Sequence, residues 1–331
     1  LKADLYHQMN VNYQPGQKIF WSGRSSNPDL GALYWCQKID FIHVNDLNED
    51  TKIDIALLGY VCDEGVKRNQ GRIGASQGPK ALRERLGKLA VHHNKHIADI
   101  GDVICVEHDM ESCQIALSKA VSKLITQKIF PIVIGGGHDM AYGHFMGIWD
   151  AVKSTAKKRI GIINFDAHFD LRPVETTPNS GTPFNQIISE LKKTNQSVDY
   201  FAIGIQQQSN TKQLFSIAAS KQANYVFNYD CDTSVENLKT LKNRLIPFIK
   251  KNDYLYITID LDAFSSAYAP GVSAPSPMGF TPFFLFKLLP FLFQTNKVIT
   301  CDIAELNPTL DIDNSTANLA AILVDFIVGL K

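Results

Sequence analysis

From residue 53 onward, short β-rich runs with little charge alternate with amphipathic stretches of helical period, and no other feature narrows the fold so sharply. The runs predict strands over 53–59, 97–102, 129–134, 159–165, 199–205, 223–227, 253–261 and 297–303. Between most of them, and after the last, the spacing predicts helices over 79–89, 111–127, 141–152, 185–193, 235–251, 282–293 and 317–330. Strand-then-helix repetition is the signature of a parallel α/β sheet covered on both faces, here with eight strands. No linker, low-complexity block or internal repeat divides the chain, so residues 1–331 read as a single domain. Residues 1–50 are polar and irregular, with turn signals at Pro15-Gly16 and Asn27-Pro28, and are expected to form an N-terminal arm or lid.

Three of the predicted strands end in residues that bind cations. The run 160–165 leads into Asp166-Ala-His168-Phe-Asp170, and the run 256–259 into Asp260-Leu-Asp262. The run 130–134 leads into Gly135-Gly-Gly-His138-Asp139. Alternate side chains of an extended segment share a face, so Asp166, His168 and Asp170 point the same way. Ligands of open parallel sheets gather at the carboxyl ends of the strands, where distant segments converge. Together the three ends supply His138, Asp166, His168, Asp170, Asp260 and Asp262, a ligand set for two divalent cations. Carboxylates with one or two imidazoles suit Mn2+, and Fe2+ or Co2+ also fit; zinc more often brings cysteine or extra histidine. Two such ions ~3.5–4 Å apart acidify a shared water, which makes a hydrolase the leading reading.

Each motif alone has a plainer explanation. Asp-x-His-x-Asp also occurs in solvated loops, and acids after a strand also cap helices. The glycine run could cradle a phosphate, but it lacks both G-x-G-x-x-G and the Lys-Ser/Thr of a P-loop. The conjunction of three strand ends favours metal.

A formal net charge of zero offers no field for nucleic acid or anionic lipid. The apolar stretch 280–293 is broken by Pro282, Lys287 and Pro290 and is too short to span a bilayer. The six cysteines are scattered without C-x-x-C spacing, which predicts reduced, mostly buried thiols. With no signal-like segment, the expected compartment is the cytoplasm.

Gly135-Gly-Gly-His138-Asp, Asp166-Ala-His-Phe-Asp170, Ser180-Gly181, Asp260-Leu-Asp262 and Cys301-Asp-Ile-Ala-Glu305-Leu-Asn-Pro308 resemble the ureohydrolase (arginase/agmatinase) superfamily, from about Gly71 to the C-terminus. The resemblance implies a three-layer α/β/α fold, two Mn2+ per chain and attack of a metal-bridging hydroxide on an amidine or guanidine carbon. It implies that His138 binds one ion, that His168 and Asp262 bind the other, and that Asp166, Asp170 and Asp260 link or share them. Asp170 would also carry the proton to the leaving amine, and Glu305 would pair with the substrate's planar cation. Apart from the resemblance, Glu305 reads as a salt-bridge or capping residue. Members of this superfamily assemble as homo-oligomers, which is expected here too.

One departure separates the branches. Arginases and agmatinases typically carry a proton-shuttling histidine shortly after the Ser-Gly turn, whereas this chain has Ser180-Gly-Thr-Pro-Phe184-Asn. That loop, Phe165-Asp-Ala-His-Phe-Asp-Leu-Arg172, and Gly204-Ile-Gln206 followed by Ser209-Asn-Thr211 are most similar to formimidoylglutamases. Arg172 should lie at the rim of the metal crevice, where a guanidinium repels cationic substrates and attracts a dicarboxylate. Its competing role is a pair with Glu175. Arg172, Asn179, Ser180 and Thr182 are the candidate carboxylate contacts, with Asn69 and Arg72 behind them. The expected activity is cleavage of N-formimidoyl-L-glutamate to L-glutamate and formamide. The alternatives are a guanidine hydrolase releasing urea and a non-catalytic relative that binds metal or ligand.

Overall fold

The sheet is assembled from strands whose two faces are both apolar, and that property dictates the layers. In the computed structural model, residues 11–331 are described apart from 25, 28, 30 and 154–157. The strands are β1 (Val11–Gln14), β2 (Asp40–Phe41), β3 (Ile55–Val61), β4 (Ile97–Cys105) and β5 (Phe130–Ile134), followed by β6 (Ile160–Phe165), β7 (Asp199–Ile205), β8 (Asn224–Phe227), β9 (Tyr254–Asp260) and β10 (Val298–Ala304). They form one sheet in the order β1-β4-β3-β5-β10-β9-β6-β7-β8, with β2 also on β4. All pairings are parallel except β1 on β4.

The helices are α1 (Trp35–Lys38), α2 (Glu64–Arg68), α3 (Gly78–Leu86), α4 (Met110–Thr126), α5 (Met140–Val152), α6 (Pro183–Lys193), α7 (Lys212–Ser220), α8 (Val235–Lys251), α9 (Pro282–Phe293) and α10 (Ser315–Leu330). Side-chain alternation along each strand feeds two separate cores. Leu255, Ile257 and Ile259 of β9, with Ile163 and Phe165 of β6, pack under α3, α8, α9 and α10. Tyr256 of β9 and Ile162 of β6 face the opposite way, under α4, α5, α6 and α7. Each such fully buried side chain stabilises the fold by roughly 1.5–3 kcal/mol. The result is the expected α/β/α sandwich.

Among the described residues ten strands are present where eight are expected. The two additions come from the segment read as an arm or lid, of which residues 1–10 lie outside the described residues. Val11–Gln14 and Asp40–Phe41 are too short and too polar to show period-two alternation, yet both pair with the edge strand β4. A buried ion triad fastens this edge: Arg83 of α3 donates to Asp99 at 2.8 Å and Asp102 at 2.6 Å, and the Trp21 indole donates to Asp99 at 2.8 Å. Helix α7 is an addition to the predicted helices; Leu214 and Ala218 are its buried residues, and Phe215 and Ile217 pack part-buried against the same core.

Topology positions the site. The chain leaves β5, skips two places and returns at β6; β9 and β10 later fill the gap. Ile134, Ile303, Ile259 and Phe165 lie in one row across these four strands. Asp260 pairs with Ala304, and Asp260 and Asp166 each stand one residue beyond that row, so two of the predicted ligands sit at the ends of adjacent strands at a switch in strand order.

Candidate metal centre

The three motifs of the middle strands converge on one cleft. After β5 the glycine run is squeezed between strand ends: a Cβ on Gly136 would lie 1.8 Å from the Cys62 carbonyl oxygen. The three glycine N–H groups donate to the carbonyls of Ile303, Tyr60 and Cys62 at 2.8–3.0 Å. They are spent on backbone and cradle no phosphate. Their role is steric, bringing His138 over the sheet.

His138 is fully buried. Its Nε2 lies 2.9 Å from the Thr258 hydroxyl, which leaves Nδ1 facing carboxylates. Nδ1 stands 3.3 Å from Asp166, 3.0 Å from Asp170 and 3.1 Å from Asp260, yet has hydrogen-bond geometry to none of them. A buried nitrogen aimed between three carboxylates without a hydrogen bond is the arrangement that an ion among the four groups would satisfy. His168 forms the second half: its Nδ1 lies 3.0 Å from Asp262 and 3.4 Å from Asp166. Two groups could therefore hold a cation, His138 with Asp166, Asp170 and Asp260, and Asp166 with His168 and Asp262. Asp166 belongs to both, turning one oxygen to each imidazole. Asp170 and Asp260 fall in the first group.

The carboxylates are held from behind. Asn164 donates to Asp166 at 2.9 Å, and the backbone N–H of Asp262 donates to Asp260 at 2.8 Å. Glu305, just beyond β10, accepts the backbone N–H of His138 at 2.9 Å. Asp170 and Glu305 both adopt left-handed backbone, φ +47° and +67°, which costs on the order of 1–3 kcal/mol for non-glycine residues and is typical of functional sites.

So many acids in so little water cannot all ionise unaided. Burial pushes Asp170 up to about 6 and Glu305 up to about 8. Burial also raises Asp260 and Asp262, and each other's charge adds to it at Asp260. Asp166 goes the other way: burial opposes its charge, but the imidazoles of His138 and His168 close beside its two oxygens hold it below the usual carboxylate range. Divalent cations resolve this frustration by replacing protons.

His138, His168, Asp170, Asp260 and Asp262 line a cavity of about 360 Å3 together with Glu305, Arg172, Ser180, Asn69 and Arg72, while Asp166 is fully buried. His138 and His168 are the histidines among its lining residues; Phe184 packs edge-on against His138 with ring centroids 5.4 Å apart. Arg172 lies at the mouth and donates to Asn69 at 2.9 Å, and Asn69 donates to Ser180 at 3.0 Å. No ion pair joins Arg172 to Glu175 among the described residues. Arg72 grips the backbone carbonyls of Ser273 and Val272. Asn179 faces an adjoining outer cavity rather than the metal cleft. Thr182 is buried with its hydroxyl engaged by Asn179 and Gln186 inside the turn.

Several supporting residues escaped the sequence reading. Asn164 and Thr258 were visible as polar residues inside apolar strands, each two positions before a ligand and so on the same face. Asn210, on the loop after β7, stands in the Ser209-Asn-Thr211 stretch that carries the resemblance, but no local pattern gave it a role at the site.

The sequence profile of the arginase family matches residues 53–329. The chain belongs to the arginase family. The match begins earlier than the resemblance seen from Gly71, taking in β3. Within the family, the chain is 40% identical over 328 residues to a formimidoylglutamase of Clostridium tetani (strain Massachusetts / E88), covering 97% of this chain and 96% of that protein. It is 40% identical over 307 residues to a formimidoylglutamase of Lysinibacillus sphaericus (strain C3-41), covering 92% and 93%. Among solved structures it is similar to a variant of the Trypanosoma cruzi formiminoglutamase with Mn2+2, with a TM-score of 0.71, 25% identity, and coverage of 86% of this chain and 94% of that one.

Proposed function

We propose that this chain hydrolyses N-formimidoyl-L-glutamate to L-glutamate and formamide, with two Mn2+ as cofactors. The observation that carries the substrate choice is the Arg172 guanidinium at the mouth of a cleft also lined by Asp170, Asp260, Asp262 and Glu305. Relatives named formimidoylglutamase, at 40% identity over nearly the whole chain, support the same choice.

His138, Asp170 and Asp260 would hold one ion, His168 and Asp262 the other, with Asp166 serving both. When bound, such a pair supplies Lewis acidity and an activated water. The side chains do the rest. The Glu305 carboxylate, with two acceptor oxygens, pairs with the planar N–C–N cation of the formimidoyl group and fixes its carbon over the ligands. Arg172, steadied by Asn69, and Ser180 take carboxylate oxygens at the opposite end of the substrate. A carboxylate oxygen of Asp170 takes the proton released by the attacking water and delivers it to the α-nitrogen of glutamate as the C–N bond breaks. Thr258 and Asn164 hold His138 and Asp166 in register throughout.

A product assay on Mn2+-loaded protein tests the proposal, offering N-formimidoyl-L-glutamate beside arginine, agmatine and guanidinobutyrate. Formamide and glutamate from the first alone are expected. Urea from a guanidine would retain the metal site and overturn the substrate; two bound ions with no turnover would overturn both substrate readings.

A further inference from the structure

We infer that Asn210 is a positioning residue for the second metal site, holding the main chain on both sides of His168. This rests on the reading of His168 as a ligand of the second ion. The Asn210 Oδ1 accepts the backbone N–H of Phe169 at 3.1 Å, and its Nδ2 donates to the carbonyl of Ala167 at 2.9 Å. The same Nδ2 donates to the Gln206 carbonyl at 2.8 Å, which ties the side chain to its own loop. Asn210 is buried, so these bonds do not compete with water.

The need for such a clamp follows from where the sheet stops. The β6–β7 ladder pairs Phe165 with Ile203, and two further bonds continue it, Asp166 N–H to Ile203 and Gln206 N–H to Ala167. Beyond Ala167 no strand lies alongside, yet His168 must keep one orientation. The Asn210 amide presents one donor and one acceptor, as a neighbouring peptide would, and extends the ladder by one rung. Other groups fix the rest of the segment: the His168 N–H bonds to Asp166 and the Phe169 carbonyl accepts from Tyr200. Asn210 alone bonds to the residues on both sides of His168 among these partners. No charged, aliphatic or hydroxyl side chain of similar size supplies both halves of that contact.

The test is Mn2+ titration of metal-stripped full-length protein, following free Mn2+ by electron paramagnetic resonance, with elemental analysis of the gel-filtered product. Asn210→Leu keeps the volume and removes both bonds; its second Mn2+ should bind roughly 10–100-fold more weakly, the usual effect of losing an outer partner, while the first stays near wild type. Asn210→Asp keeps the acceptor and loses the donor, and should give a smaller loss of the same kind; it carries the test if the leucine variant does not fold. Excess Mn2+ should restore kcat in either, with KM unchanged. Thr211→Ala is the control, since it removes the cap on Leu214 of α7 without touching Ala167 or Phe169; it should lower the melting temperature and leave both ions bound as in wild type. Wild-type affinity for both ions in a folded Asn210 variant would overturn the positioning role alone. A wild-type protein that binds fewer than two Mn2+ would overturn the metal reading beneath it.

Discussion

Glu305→Gln should make the metal-free protein more stable at neutral pH while removing activity. Burial raises the Glu305 carboxyl from its ordinary 4.5 to about 8, against the backbone N–H of His138, which favours the charged form. Between those values the folded chain keeps a proton that the unfolded chain has lost. Folded stability is therefore complete below about pH 4.5 and drains away as pH rises towards 8, by about 1.4 kcal/mol per pH unit. From pH 5 to 7.5 this amounts to about 3 kcal/mol, and about half that if the buried carboxyl relaxes towards solvent. Glutamine is isosteric, still accepts the His138 N–H, and does not titrate. The raised carboxyl of Asp170 and the raised imidazoles act with the same sign, but they are common to both proteins and cancel in the difference. Urea denaturation of chelator-treated wild type and Glu305→Gln, at pH 5, 6, 7 and 8, measures that difference directly. The two proteins should match near pH 5 and diverge above it, the variant being the more stable. Parallel pH profiles would refute the reasoning, because they would mean that Glu305 ionises in the fold as it does in water. Product assays on the Mn2+-loaded variant should show turnover lost through loss of cation pairing, with both ions retained.

Three further outcomes are expected. Asp166→Asn removes the carboxylate shared by both ligand groups and should cost more than the roughly 10–100-fold in metal affinity typical of an outer partner, with turnover lost in parallel; elemental analysis checks it. Arg172→Ala should raise KM for the dicarboxylate roughly 10-fold or more, the worth of a charge-assisted hydrogen bond, and leave kcat nearly unchanged. Arg83→Met strands two buried carboxylates and should destabilise the fold by about 3–5 kcal/mol in urea denaturation, without altering turnover per folded molecule.

The layered fold was readable because parallel strands buried on both faces leave unbroken apolar runs such as 130–134, and helices 235–251 and 282–293 were placed to the residue. The candidate metal cluster was readable for a related reason: six side chains able to ligate a cation lie within a few residues of three strand ends. What the chain concealed depends on long-range partners. Val11–Gln14 becomes a strand only because β4 presents an edge to it. Thr182 has the right type for a substrate contact, but the turn closing on Asn179 takes its hydroxyl. Asn210 reaches the site from a loop 42 residues beyond His168, and its amide is informative only once Ala167 and Phe169 are seen on either side.

The order in which the ligand-bearing strands leave the ribosome differs from their order in space. Strands β5 and β6 emerge early, with a gap between them that β9 and β10 fill only near the end of synthesis. Until then the nascent chain carries two hydrophobic, unpaired edges facing one another, the kind of surface that recruits other nascent chains. Closing the sheet and completing the candidate ligand set go together, because Asp260 and Asp262 arrive with β9, one of the two strands that fill the gap. Supply of the cofactor during expression should therefore bear on yield as well as activity, since ions held by Asp260 and Asp262 would also lock β9 in the middle of the sheet.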